Sequence, residues 1–392
     1  MNQIINESNE LFNYTQNLRR DFHRFPELGF QEVRTASIVA SELHKLEIEV
    51  TTGVGETGVV ATIDGSLPGP VAMLRFDMDA LPIQEATGAA YASENPGTMH
   101  ACGHDGHTAI GLTVARLLHA RRHELHGSVK LVFQPAEEGL GGAEAMLKDG
   151  VLENPRPDLC LGLHLWNERP VGWLSATPGP VMAASEFFRI QITGKGGHGA
   201  SPHFAIDPVV AAGQIITAVQ SIVSRNVAPL QSAVISITSV KAGEAHNVIP
   251  QQAEMKGTIR SFEPEIRAKI LERFHQMVHG VGEAMGCQVE IEQRSITPAV
   301  INDPTITRQV GEVIQALLPG SEMDTSSRTM GSEDMAFFQK EIPGCYIFMG
   351  SNNQELGLDA PHHHPRFDFD ERALAQSSAL MTAAALRLLA SR

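Results

Sequence analysis

Cysteines and aromatic residues are scarce in this 392-residue chain, which carries four Cys, three Tyr, two Trp and 16 Phe. Cys102, Cys160, Cys287 and Cys345 lie far apart with no paired spacing. That argues against a disulfide framework and for a reducing compartment. Long apolar runs are missing too: none reaches the ~18 residues that would cross a bilayer. The polar opening MNQIINESNELFNYTQNLRRDFHRF has no signal-like apolar stretch, so a cytoplasmic protein is expected. Basic residues are outnumbered, with 30 Lys and Arg against 45 Asp and Glu and a formal net charge of −15. Such a balance speaks against a nucleic-acid or anionic-membrane surface. What is present is a 42% hydrophobic composition, ample for a core, on a chain long enough for two domains.

Against this background one segment is dense in chemistry. Met99-His100-Ala101-Cys102-Gly103-His104-Asp105-Gly106-His107 brings together a thiol, three imidazoles and a carboxylate, donors that suit zinc, manganese, cobalt or nickel. On a helix Cys102 and His104 would point about 200° apart. A glycine-rich loop would let both reach one site, so a metal loop is the reading. A thiol hydrolase with Cys102 as nucleophile is the alternative at this point.

Short apolar runs alternate with helical patterns around that loop. Val71–Phe76, Val129–Phe133, Leu159–Leu163 and Cys345–Met349 predict buried strands. Ala109–Arg122, the start at Ala143–Lys148 and the closing Glu371–Ser391 predict helices, and residues 5–48 are helical with a break at Phe25–Gly29. This is an α/β pattern with a largely parallel sheet. Polar residues follow the strands: Asp77 and Asp79, Glu137 and Glu138, His164, and the run His362-His363-His364. Strand ends of an open parallel sheet converge on one crevice. From about 182 to 293 the order changes to βαββαβ, that of a ferredoxin-like unit. The expectation is a catalytic domain of residues 1–181 and 294–392 with a 182–293 insertion.

Each constellation also has a plain structural explanation. Adjacent glutamates are usually a solvated pair, but Glu137 and Glu138 sit between an apolar strand and Gly139-Leu140-Gly141-Gly142. One carboxylate can hold a metal while the other exchanges protons, giving Glu138 as ligand and Glu137 as general base. His164 in an apolar run could be a core residue. Asp77 and Asp79 suit the orienting of a ligand or its loop, and Asp79 is counted with the catalytic set. On the insertion, the Gly194–His203 loop lacks a phosphate-loop pattern and presents His198, which could stabilise an oxyanion. Asn247 and Arg260 are candidate substrate contacts, Arg260 through bidentate pairing with a carboxylate; a surface salt bridge would explain Arg260 equally well.

Taken in order, these motifs resemble the aminoacylase/carboxypeptidase family of metallopeptidases, nearest the hippurate hydrolases, N-acyl-amino-acid amidohydrolases and auxin-conjugate hydrolases. The carrying residues are Arg20–Gly29, Asp77–Pro82, Cys102–His107, Gln134–Gly139, Gly162–Trp166, Gly194–His203, Gly331–Asp334 and the final His-x-Pro. The resemblance implies two divalent transition-metal ions per subunit (Mn, Zn, Co or Ni), held by Cys102 as a bridge, His104, Glu138, His164 and His363. It picks His363 because the family places that ligand two residues before a proline; relatives often carry Leu where this chain has His362. It further implies Glu137 as base, His198 from an inserted lid, and a homodimer or higher homo-oligomer formed through that lid. The expected activity is hydrolysis of a small-molecule N-acyl amino acid to a carboxylic acid and a free amino acid. A dipeptidase or N-acetyl-diaminopimelate deacetylase of the same family, and a catalytically idle binding protein, are the other outcomes.

Overall fold

The computed structural model describes residues 1–390, so the last residue of the expected closing helix, Ser391, lies outside the described residues. The chain divides into two units, one of Met1–Val181, Ile301–Arg328 and Asp334–Arg392, the other of Met182–Val300 and Thr329–Glu333.

The first unit is built on an eight-stranded sheet. Its strands are β1 (Val50–Val54), β2 (Gly58–Asp64), β3 (Leu67–Asp77), β4 (His126–Gln134), β5 (Leu159–Pro170), β6 (Trp173–Ser175), β7 (Glu322–Asp324) and β8 (Gly344–Asn352). They run in the order β1-β2-β4-β3-β5-β8-β6-β7. The central strands β4, β3, β5 and β8 are mutually parallel; β1 and β2 form an antiparallel margin. The central strands read as near-continuous apolar runs because both faces are covered. Met73, Leu74, Leu131, Val132 and Leu161 are all 0% exposed. Helices His104–Ala120 and Arg372–Leu389 share that core with Phe76, Phe133 and Phe367. Gly111 permits one such approach, since a Cβ there would fall 2.6 Å from the Phe76 ring. No helix among the described residues is long and apolar enough to cross a membrane.

Two boundaries differ from expectation and bear on the site. β5 continues through His164 to Pro170, so His164 lies inside the strand, paired in register with Phe348. The helix expected from Ala109 begins at His104. Its first turn, His104-Asp105-Gly106-His107, is polar but fully buried, and its lack of apolar periodicity hides it in the sequence.

The second unit holds an antiparallel four-stranded sheet. Strand Ala184–Thr193 pairs with both Gln252–Ser261 and Gln288–Thr297, and Ala233–Ala242 forms the far edge. Helices Pro208–Asn226 and Pro264–Ala284 close a separate core over Phe188, Ile190, Ile192, Met255 and Phe274. Alternation of buried and half-buried residues along Gln252–Ser261 marks a sheet with one covered face. The Asp207 carboxylate caps the first helix at the Val209 and Val210 N–H groups.

Candidate metal centre

The site is assembled at the carboxyl ends of β3 and β4, beside His164 within β5. Cys102 sits in a loop, Gly103 takes a left-handed φ of 90° that only glycine adopts readily, and His104 opens the helix. Nδ1 of His104 donates to the Asp79 backbone oxygen at 3.0 Å and lies 3.2 Å from Asp79 Oδ1. The other carboxylate oxygen of Asp79 accepts from the Glu138 N–H at 3.0 Å. One side chain thus fixes a residue from each of two loops. His164 donates Nδ1–H to its neighbour, the Leu165 carbonyl, at 2.7 Å, and turns Nε2 to within 3.5 Å of Cys102 Sγ. The His363 N–H donates to the Ala101 carbonyl at 2.8 Å, tying the C-terminal histidine loop to the cysteine loop.

Two ligand triads result, Cys102–His104–His164 and Cys102–Glu138–His363, each with its donor atoms within 4.8 Å of one another. They share Cys102. His104 Nε2 is buried without a hydrogen-bond partner, and so is Glu138 Oε1. The latter lies 3.1 Å from His363 Nε2 without hydrogen-bond alignment, as two donors facing a common ion would be. Leaving such groups buried and unpaired costs about 1–3 kcal/mol each, and a cation removes that cost. A thiol, three imidazoles and a carboxylate fit a borderline divalent ion. His107 is differently placed. Its Nδ1 donates to Asp77 Oδ1 at 2.6 Å and its Nε2 accepts from the Leu165 N–H at 2.9 Å, so both nitrogens are committed to the protein.

Without a bound ion, the Asp77 carboxylate faces a protonated His104, whose proton a bound cation would displace. Burial and then the Glu138, Glu137 and Asp77 carboxylates push the Cys102 thiol well above its ordinary value; a bound cation reverses that preference and holds a thiolate. Burial works against a charged His104, yet Asp77 and Asp79 outweigh it and push the imidazole up to about 10. Burial and the neighbouring His107 hold His164 well below its usual range, as a neutral donor requires. Burial opposes ionisation of Asp77, but His104, Arg75 and His107 keep it well below the carboxylate range.

Beneath the basin lies a buried layer that the sequence reading missed. Arg75, 1% exposed, donates to Asp77 Oδ2 at 2.5 Å, Gln134 Oε1 at 2.8 Å and Asp334 Oδ1 at 3.0 Å. Gln134 Nε2 donates to Asp334 Oδ1 at 2.7 Å, and the Asp334 N–H lies 3.4 Å from Glu137 Oε1. An arginine in the apolar run VAMLRFD, two residues before an aspartate, was the available signal. Asp105, counted in the sequence as the carboxylate of the donor-rich segment, serves another purpose. It accepts from Arg19 Nε at 2.7 Å and pairs with His23 Nδ1 at 2.8 Å.

The remaining expected residues lie in the second unit. His198 is exposed on a two-residue strand paired with Val248, and the exposed Asn247 accepts from the Gly199 N–H at 2.8 Å. Arg260 donates Nε–H to Thr258 Oγ1 at 3.1 Å, while its Nη1 is buried without a hydrogen-bond partner. Burial lowers its pKa.

An open, mainly parallel α/β sheet with this donor set at its strand ends defines a hydrolase of the metallopeptidase class. The chain belongs to peptidase family M20/M25/M40, whose model matches residues 73–387. It is similar to an N-acetylcysteine deacetylase of Bacillus subtilis, 44% identical over 92% of this chain and 93% of that one. IAA-amino acid hydrolase ILR1-like 4 of Arabidopsis thaliana is 38% identical over 97% of this chain and 87% of its own length. Among solved structures, a dinuclear metal-binding peptidase of the M20 family from Bacillus subtilis superposes with a TM-score of 0.86. That protein is 39% identical, with 98% of this chain and 100% of the other covered.

Proposed function

We propose that the chain is a metal-dependent amidohydrolase that cleaves N-acyl amino acids to a carboxylic acid and a free amino acid. The observation that carries this reading is the pair of triads meeting at Cys102 beside a second glutamate, Glu137. Cys102, His104, Glu138, His164 and His363 would hold two divalent ions. Bound there, the ions supply Lewis acidity and lower the pKa of water, to ~7 in favourable zinc sites.

The chain's own residues do the rest. Glu137 accepts the proton of the attacking water at a carboxylate oxygen and returns it to the departing amine nitrogen. Asp79 keeps His104 and the Glu138 backbone in place. From the second unit, His198 would donate to the developing oxyanion. Arg260, with one buried Nη1 unpaired, would take the substrate carboxylate, and Asn247 would add a polar contact. An amide substrate class is supported by relatives named as deacetylase and amino acid hydrolase. In this reading the Met182–Val300 segment serves as lid and dimerisation module.

Glu137→Gln tests the reading. Turnover of hippurate and N-acetyl amino acids should fall by about 10²–10⁴-fold, with bound metal unchanged. Full activity in that variant would sink the assignment of the base. Exhaustive chelation should abolish activity and added metal restore it; activity that survives chelation would favour a Cys102 nucleophile instead.

A further inference from the structure

Two imidazoles come within hydrogen-bond range of the Cys102 sulfur, and their other hydrogen bonds give them opposite roles. His164 spends its Nδ1–H on the Leu165 carbonyl at 2.7 Å, so the nitrogen 3.5 Å from Cys102 Sγ, Nε2, carries a lone pair. His362 is arranged the other way round. Its Nε2 lies 3.1 Å from the Asn167 backbone nitrogen, which can only donate. Nε2 must therefore be unprotonated, and the ring's proton resides on Nδ1. That nitrogen is the one facing Cys102 Sγ, at 3.9 Å. The ring is held in this orientation by Trp166, His164 and Phe367, whose ring centroids lie 5.2, 5.1 and 5.1 Å away. Asn167 is itself pinned: its side chain donates to the Ala360 and Asp368 carbonyls at 2.8 and 3.0 Å. The donor that dictates the tautomer is therefore fixed to both ends of the histidine loop.

We infer that His362 is a hydrogen-bond donor to the Cys102 thiolate and not a metal ligand: an Nδ1–H aimed at the sulfur that joins the two triads. The inference rests on the proposed metal-binding reading of the basin. Ligation through Nδ1 would force the proton onto Nε2, where it would clash with the Asn167 N–H. Donation to a thiolate draws electron density from the sulfur, weakening its donation to any ion it bridges and leaving that ion a stronger Lewis acid. His362 thus tunes the centre through another residue; it is a positioning and tuning residue, not a catalytic one.

The cobalt-loaded protein provides the readout. Wild-type protein should take up two Co(II) and show a sulfur-to-cobalt charge-transfer band; no uptake would sink the metal reading itself. In His362→Leu the two ions should remain while the band moves to lower energy, because the sulfur lone pairs lose their stabilising donor. An unmoved band with two ions bound would overturn the inference, and loss of one ion would overturn it by making His362 a ligand. Should the variant misfold, nitrogen-15 NMR of the zinc-loaded wild type decides independently. His362 should show a protonated Nδ1 and a bare Nε2; the reverse pattern overturns the inference.

Discussion

Asp77 shows how much of the centre depends on single carboxylates outside the ligand set. One oxygen holds His107 at 2.6 Å and the other holds Arg75 at 2.5 Å. The guanidinium is fully enclosed, so Asp77→Ala would take an anionic partner from a buried cation. Breaking such a pair costs about 3–5 kcal/mol. The expected outcome in urea denaturation is a loss of unfolding free energy of that size, read as a lowered midpoint at unchanged m, with Asp77→Asn, which keeps an acceptor for His107, losing less. Equal, small losses in both variants would show that the partners left to Arg75 satisfy it without Asp77. At this scale the sequence is informative where donors are dense, as at 99–107, because soft ligands seldom cluster by chance. It says little about Arg75: Asp77, two residues on, is the hint, and Gln134 and Asp334 become partners of the guanidinium through the fold.

Among the elements, the helix His104–Ala120 carries one ligand of the centre and depends on how its first turn is anchored. Asp105, the second helical residue, is gripped by Arg19 and His23 from the helix Phe12–Arg24, and Arg19 reaches on to Asp368 at 2.6 Å. His23 also lies 3.3 Å from Glu85. Burial alone would depress the His23 pKa, but hydrogen bonds to Asp105 and Glu85 outweigh it and push it up to about 9. A group raised on folding lends stability that is complete below its unfolded value of ~6.5, and loses it as pH rises through about 9. The melting temperature of metal-free protein should therefore decline between pH 7 and 10. His23→Gln should melt lower at neutral pH and show a shallower alkaline decline. An unchanged slope would assign the alkaline loss to another group. This anchor also explains why the helix start was misplaced. The turn is built from buried polar residues satisfied by a distant helix, a pattern that apolar periodicity does not record. The long helices Pro208–Asn226 and Pro264–Ala284 carry an apolar stripe, the pattern that periodicity does record, and they are the two helices of the expected βαββαβ order.

For the molecule as a whole, the alternation of strands and helices made the mainly parallel sheet legible. The chain path was less so. Segment Thr329–Glu333 belongs to the second unit while its neighbours on both sides belong to the first, a short excursion that no periodicity marks. Each unit has its own apolar core. Among the described residues, the two triads proposed to hold metal lie wholly in the first unit. Linkage then makes an unequal demand on the two cores. An ion present at a hundred times its Kd adds about 2.7 kcal/mol to the structure that binds it and nothing to one that does not. Calorimetry of chelated and metal-reconstituted protein should accordingly show two transitions, of which reconstitution raises only one. The segment 182–300 expressed alone should reproduce the transition that does not move, since Phe188, Ile190, Met255 and Phe274 bury one another within it. A single transition that shifts as a whole with metal, or a 182–300 segment that fails to fold, would mean that the second core depends on the first.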